Sequence, residues 1–291
     1  MQSKQLRVEI DGTRVNVFEY GTQGGQQVLF VHATGFHARC WDQVVSHLPS
    51  ELHIFAVDMR GHGQSENKGP FTWQRLGQDI LSLAEHLGLQ NIIGVGHSMG
   101  GHCITHAAGH QPRLFRRLIL VDPVILSPNL YQNSKRHQYE DVSEHPVARR
   151  RSHFASVQEM HDRYVDRKPY SLWQPQVFMD YCTYGLVPAP SGTGLALACP
   201  PHIEASIYMG NFDADLYTLI PKIEVPTLVL RARPRDASSK EMDFSASPTW
   251  PELADQFPHG QDIMLPELTH FIPMQDPALV ADFIRVAAED S

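Results

Sequence analysis

No run of apolar residues in the 291-residue sequence is long enough to span a bilayer. Residues 1–7 also lack the apolar stretch and small-residue cleavage site of a secretory leader. Cysteine is scarce: the four residues, Cys40, Cys103, Cys182 and Cys199, form no C-x-x-C pair, as free thiols in a reducing compartment would. Together these absences set a cytoplasmic expectation. Basic runs are missing too, apart from Arg149, Arg150 and Arg151, which are expected to form a solvated helix face. The formal net charge is -8, so the body of the protein repels phosphate backbones and anionic lipid. Neither nucleic acid nor a membrane surface is an expected partner, and the oligomeric state is left open.

What is present is ordinary for a globular enzyme: 42% apolar and 19% charged residues, in a chain long enough for one large core with a modest insertion. Residues 5–10 alternate in polarity and, with the turn Asp11-Gly12 and residues 14–18, predict an antiparallel hairpin. Short, wholly apolar runs at 28–31, 54–57, 92–95, 118–121 and 227–230 predict strands buried on both faces. Residues 73–87 carry Leu76, Ile80, Leu83, Ala84 and Leu87 at helical spacing, and residues 277–287 do the same with Leu279, Val280, Phe283 and Ile284. Strands alternating with helices imply an α/β fold on a mostly parallel, doubly wound sheet. After Asp122 the regularity stops for roughly a hundred residues, too many for a loop in a compact domain. Residues 172–181 and 201–209 are plausible helices in that stretch, which reads as a helical cap. The division expected is a core of 1–122 and 216–291, with 123–215 as the inserted cap.

The chemistry centres on residues 94–101, where G-x-S-x-G follows a buried strand and precedes a helix. A nucleophile on a strained strand-to-helix turn needs close neighbours without a Cβ. The turn lifts the Ser98 hydroxyl to the sheet edge and aims a helix N-terminus at the reacting centre, with the Met99 N–H as an oxyanion donor. A serine hydroxyl needs a base at neutral pH. Of the 17 histidines, His270 is placed to supply one, between a predicted strand at 262–265 and the last helix.

With these pieces in order, the chain resembles the α/β-hydrolase superfamily, in its capped esterase, epoxide-hydrolase and dehalogenase-like branch. The matching segments are residues 31–35 with Trp41, residues 57–65 (Val-Asp-Met-Arg-Gly-His-Gly-Gln-Ser), the Gly-His-Ser-Met-Gly elbow and the His270 segment. The resemblance implies an eight-stranded, mostly parallel sheet flanked by helices, with the cap inserted. It also implies that Thr34 supplies the second oxyanion N–H, although Ala33 stands where the family usually has glycine. Serine rather than aspartate at the elbow argues against the alkyl-enzyme chemistry of dehalogenases and epoxide hydrolases and for acyl transfer.

A carboxylate should orient His270, and three compete. Similar proteins commonly place it in a Gly-x-x-Asp turn after the strand at 227–230. Here that turn lacks the glycine and displaces Asp236 by one residue, and Asp243 follows in the same loop. Some capped relatives instead resemble this chain in carrying a carboxylate at the end of the preceding strand, which is Asp122. Asp122 ranks first, Asp236 second and Asp243 third.

Phe36, His37, Phe154, Trp173, Phe178, Tyr181, Tyr208, Met209 and Phe212 could line an apolar pocket, or merely pack the cap. Of these, Phe36, His37, Trp173 and Tyr208 are the candidate substrate contacts. His102, His106 and His110 recur every four residues beside Cys103, without a carboxylate or a His-Glu-x-x-His pattern, so no metal is expected. No cofactor is expected either. The reading is a serine hydrolase acting on a small to medium apolar ester or lactone. The alternatives are carbon–carbon bond hydrolysis or a lyase step on the same fold, or a ligand-binding receptor without turnover.

Overall fold

Polarity that alternates residue by residue folds the first strands into a half-exposed edge, and uninterrupted apolar runs form the centre of the sheet. A computed structural model describes residues 1–133, 139–210, 216–235 and 244–289. The chain opens with the antiparallel pair β1 (Lys4–Ile10) and β2 (Thr13–Gly21), then β3 (Gln27–Val31), the short helix α1 (Asp42–Ser46) and β4 (His53–Asp58). Helix α2 (Trp73–His86) follows, then β5 (Ile92–His97), α3 (Met99–His110) and β6 (Phe115–Val121). Thr72 caps α2, its hydroxyl accepting the Arg75 N–H at 3.2 Å, as an N-cap threonine should.

Between β6 and the next strand of the main sheet lie α4 (Pro128–Asn133), β7 (His153–Phe154), α5 (Val157–Tyr164), α6 (Pro175–Tyr184), β8 (Leu186–Pro188), β9 (Leu195–Leu197) and α7 (Pro201–Met209). The chain then returns through β10 (Thr227–Ala232), β11 (Gly260–Leu265), α8 (Ile272–Gln275) and α9 (Pro277–Glu289). The eight-stranded sheet has the order β1-β2-β4-β3-β5-β6-β10-β11. Its pairs are parallel from β4 onward and antiparallel at β1–β2 and β2–β4. This is the α/β-hydrolase architecture.

The apolar runs serve both faces at once, because successive side chains point to opposite sides. Leu29, Val31, Phe55 and Val57 join a core with α2 and α3, whereas Val28, Phe30, Ile54 and Ala56 join one with α1 and α9. Each Val, Leu, Ile or Phe side chain so withdrawn from water contributes roughly 1.5–3 kcal/mol. A third apolar cluster lies in the insertion, where Phe154, Met160, Trp173, Val177, Phe178 and Tyr181 pack with Phe271 and Met274 of the core.

The insertion is not wholly helical. β7, β9 and β8 pair as a small antiparallel sheet beside its helices. With strands of two or three residues, no periodicity announces them. Trp73 of α2 ties the insertion down, its indole N–H donating to the Ile207 carbonyl at 2.8 Å. Among the described residues no helix is long and apolar enough to cross a membrane.

Candidate active site

Ser98 sits between β5 and α3 with φ 57 and ψ -116, a left-handed conformation that costs a residue with a Cβ on the order of 1–3 kcal/mol. Two glycines make room for the turn. A Cβ on Gly96 would lie 2.4 Å from the Gly100 carbonyl oxygen, and one on Gly100 would lie 2.1 Å from that of Val31. The Ser98 N–H donates to Val121 of β6 at 3.1 Å, and its carbonyl accepts from Gly101 at 3.1 Å and Val124 at 3.2 Å. The Met99 N–H, in the first turn of α3, has no protein acceptor among the described residues.

His270 follows β11 and reaches back across the sheet edge. Its Nε2 lies 3.0 Å from Ser98 Oγ, and its Nδ1 lies 2.7 Å from Asp122 Oδ2. Asp122 terminates β6 with φ 45 and is fully buried. Its other oxygen, Oδ1, accepts from the Ala232 N–H at 3.1 Å, the Ser247 hydroxyl at 2.5 Å and the Thr249 hydroxyl at 3.2 Å. His270 is steadied from two sides. The His97 Nε2–H donates to its carbonyl at 2.8 Å, and Phe244 accepts its backbone N–H at 3.3 Å while stacking on the ring at 5.6 Å. The structure therefore brings Ser98, His270 and Asp122 into one hydrogen-bonded chain. Asp236 and Asp243 lie outside the described residues.

The loop after β3 closes through a turn in which Phe36 N–H donates to Ala33 C=O at 3.1 Å. Positive φ is required at Gly35 (φ +79), not at Ala33, so alanine fits here without opening the turn. Two buried imidazoles brace it. His32 Nε2 accepts the Met59 N–H at 3.0 Å, and His62 Nε2 accepts the Gly35 N–H at 3.0 Å. Each must then carry its proton on Nδ1, which donates to a carbonyl, Ala33 for His32 (2.7 Å) and Arg60 for His62 (3.0 Å). Among the described residues the Thr34 N–H has no protein acceptor and the buried Thr34 hydroxyl has no partner.

Ser98 and His270 open onto a cavity of about 190 Å³. Phe36, Tyr170, Trp173, Tyr181, Tyr208, Phe244 and Phe271 line it with Ala33, Thr34 and Gly35. Phe154 and Phe178 belong to the packed interior of the insertion instead, Met209 is not on the cavity wall, and Phe212 lies outside the described residues. His37 is a correction. Its ring lines a neighbouring crevice with Gly185, Leu197 and Cys199, where its Nε2–H donates to the Tyr181 carbonyl at 3.2 Å, because the chain turns into a short helical stretch at Ala38.

Arg150 is a second correction. Rather than lying on a solvated face, its side chain is only 26% exposed and reaches into the cavity wall. It donates to Glu204 at 2.7 Å and to the Tyr181 hydroxyl at 3.2 Å. The cavity is thus not purely apolar. Sequence reasoning missed Arg150, Glu204, Phe244, Ser247 and Thr249, all brought in by distant segments. The Gly61-His62-Gly63 segment was the visible signal for His62. Among the described residues no group of three His, Cys, Asp or Glu is placed to hold a metal ion. His102 donates its Nδ1–H to the Val124 carbonyl at 3.4 Å.

Burial pulls several imidazoles down from their ordinary value of about 6.5. His37 and His62 fall to about 4, His97 and His102 to about 3, and His32 well below its usual range, desolvation being the largest cause in each. Glu204 is pushed up by burial, against the opposing pull of Arg150. The histidine shifts make stability depend on pH. Above pH ~6.5 both states hold these rings neutral and stability is full. As pH falls toward the depressed values, the unfolded chain takes up protons that the folded chain refuses, so stability is lost. At pH 5.5 the loss should be about 1 kcal/mol for each of the five rings, read as a lower urea midpoint than at pH 7.5. A flat midpoint across that interval would contradict the neutral burial of these rings.

Residues 28–283 match the alpha/beta hydrolase family, and the chain belongs to it. A lipase, LipV, of Mycobacterium tuberculosis is 34% identical over 111 residues, covering 38% of this chain and 42% of that protein. The chain thus spans less than half the length of such curated relatives. A non-heme chloroperoxidase of Streptomyces lividans is 25% identical over 283 residues, covering 90% of this chain and 97% of the relative. Among solved structures, that of E-2-(acetamidomethylene)succinate hydrolase superposes with a TM-score of 0.76 at 20% identity, over 98% of both chains, a likeness of fold.

Proposed function

We propose that the protein is a serine hydrolase that cleaves a small to medium carboxylic ester or lactone through an acyl-enzyme at Ser98. The observation that carries this reading is the continuous chain Ser98 Oγ–His270 Nε2 (3.0 Å) and His270 Nδ1–Asp122 Oδ2 (2.7 Å), opening onto a cavity. With its Nδ1–H donated to Asp122, His270 offers a bare Nε2 to the serine proton. Ser98 Oγ then attacks the carbonyl carbon, and the developing oxyanion is met by the Met99 and Thr34 N–H groups, both free of other acceptors among the described residues. The imidazolium, stabilised by Asp122, returns the proton to the leaving alkoxide. Water, deprotonated by His270 in turn, releases the acid and restores the serine.

A volume of about 190 Å³ falls below the roughly 300–1,000 Å³ of pockets that enclose drug-sized ligands, which favours a small substrate. Identity with a protein named as a lipase supports an ester as the scissile group. The test is a panel of nitrophenyl esters and lactones run beside ring-fission-type diketones. Turnover of esters, with stoichiometric labelling by a fluorophosphonate, is expected. Indifference to every ester, with cleavage of the diketones, would replace this reading by carbon–carbon hydrolysis. Ligand-induced stabilisation without product would replace it by a receptor.

A further inference from the structure

Among the described residues that line the cavity, Arg150 and Glu204 are the guanidinium–carboxyl pair, in a wall otherwise made of rings, small residues and backbone. Neither takes part in the chain of hydrogen bonds from Ser98 to Asp122. Stability alone does not account for them. Withdrawing a guanidinium and a carboxylate from water is costly, and a well-packed apolar pair of similar volume would hold the insertion as firmly or more so. Their hydrogen-bonding capacity is also only partly spent. Arg150 Nη1 donates to Glu204 Oε2 and Nη2 to the Tyr181 hydroxyl, while the other guanidinium N–H groups have no protein acceptor among the described residues. Glu204 Oε1 lies against Gly35, close enough that a Cβ there would come within 2.4 Å of it. Since Gly35 follows Thr34, the pair stands beside the loop proposed to hold the oxyanion. Its two charges sum to zero, so the wall presents directional hydrogen bonds without a net charge.

We propose that Arg150 and Glu204 form a polar recognition subsite that selects esters or lactones bearing an uncharged hydroxyl or keto oxygen close to the scissile carbonyl. The inference rests on the reading of Ser98 as the acyl acceptor. A keto oxygen accepts from the free guanidinium N–H groups; a hydroxyl does so and also donates to Glu204. A carboxylate in the same place meets the Glu204 charge and an ammonium meets Arg150, so both are rejected.

The test compares nitrophenyl esters of butanoate, β-hydroxybutanoate and β-oxobutanoate with those of succinate and an aminobutanoate, each rate normalised to alkaline hydrolysis. The wild-type kcat/KM should favour the hydroxy and oxo esters over butanoate by about ten- to a hundredfold, as a charge-assisted hydrogen bond would. In the double variant Arg150→Met/Glu204→Leu, which removes both charges and orphans neither, that ratio should fall to within about threefold of one. The milder Glu204→Gln should lower the preference for the hydroxy ester relative to the oxo ester. A wild-type ratio near one, a preference for the succinate or aminobutanoate ester, or a ratio unchanged in the double variant would overturn the subsite. Fluorophosphonate labelling reports the Ser98 reading separately. Labelled protein with flat selectivity overturns the subsite alone, whereas unlabelled protein overturns the acyl-enzyme and the subsite with it.

Discussion

Ser98→Ala is expected to lower kcat on an activated ester by on the order of 10⁴- to 10⁶-fold and to abolish fluorophosphonate labelling. Among the described residues of the cavity, the Ser98 hydroxyl is the one paired with a base, His270 Nε2 at 3.0 Å. Gly96 and Gly100, which frame the turn, offer no side chain in its place. Residual catalysis should come from the Met99 and Thr34 N–H groups and from substrate binding. His270→Ala should cost a similar factor, and the double variant little more than either, since the two residues act as one unit. The fold should be nearly indifferent. Removing Oγ deletes a single hydrogen bond and leaves the Cβ and the strained φ unchanged, so the stability change should stay within about 1 kcal/mol. Retention of more than about 1% of turnover by Ser98→Ala would refute the acyl-enzyme reading.

How much of this could be read from the chain depends on how local each cause is. The central strands were legible because burial on both faces demands unbroken apolar runs, as at Val28–Val31 and Ile54–Val57. The elbow was legible because two backbone approaches, at Gly96 and Gly100, exclude any side chain. The small sheet of the insertion was not, since Leu186–Pro188 and Leu195–Leu197 are too short to show a period of two. Arg150 was misread for a different reason. Within its own segment it belongs to an arginine triplet that resembles a solvated face, and the partners that draw it inward, Glu204 and the Tyr181 hydroxyl, are distant in sequence. His37 sits beside Phe36 in sequence, yet Phe36 lines both the cavity and the neighbouring crevice, whereas His37 lines the crevice alone. The orienting carboxylate was ambiguous because what makes an aspartate fit that position comes from elsewhere: the Ala232 N–H and the hydroxyls of Ser247 and Thr249.

Those three donors decide what Asp122→Asn should do. An asparagine has one carbonyl oxygen for the two carboxylate oxygens now in use. The Ala232 N–H is fixed in the backbone and cannot turn away, so the amide oxygen should settle where Oδ1 accepts it at 3.1 Å. The amide NH₂ then faces His270 Nδ1, which at present lies 2.7 Å from Oδ2. Two donors cannot share that contact, so the imidazole must move its proton to Nε2. There it points at Ser98 Oγ, and the ring can no longer accept the serine proton. The variant should therefore fold, keep its cavity and lose about 10³- to 10⁴-fold in kcat, with phosphonate labelling slowed in parallel. A loss confined to KM would mean that the substitution disturbed binding rather than the proton on His270. Turnover above about a tenth of wild type would move the orienting role to another carboxylate, and Asp236→Asn and Asp243→Asn would then be the variants expected to carry the loss.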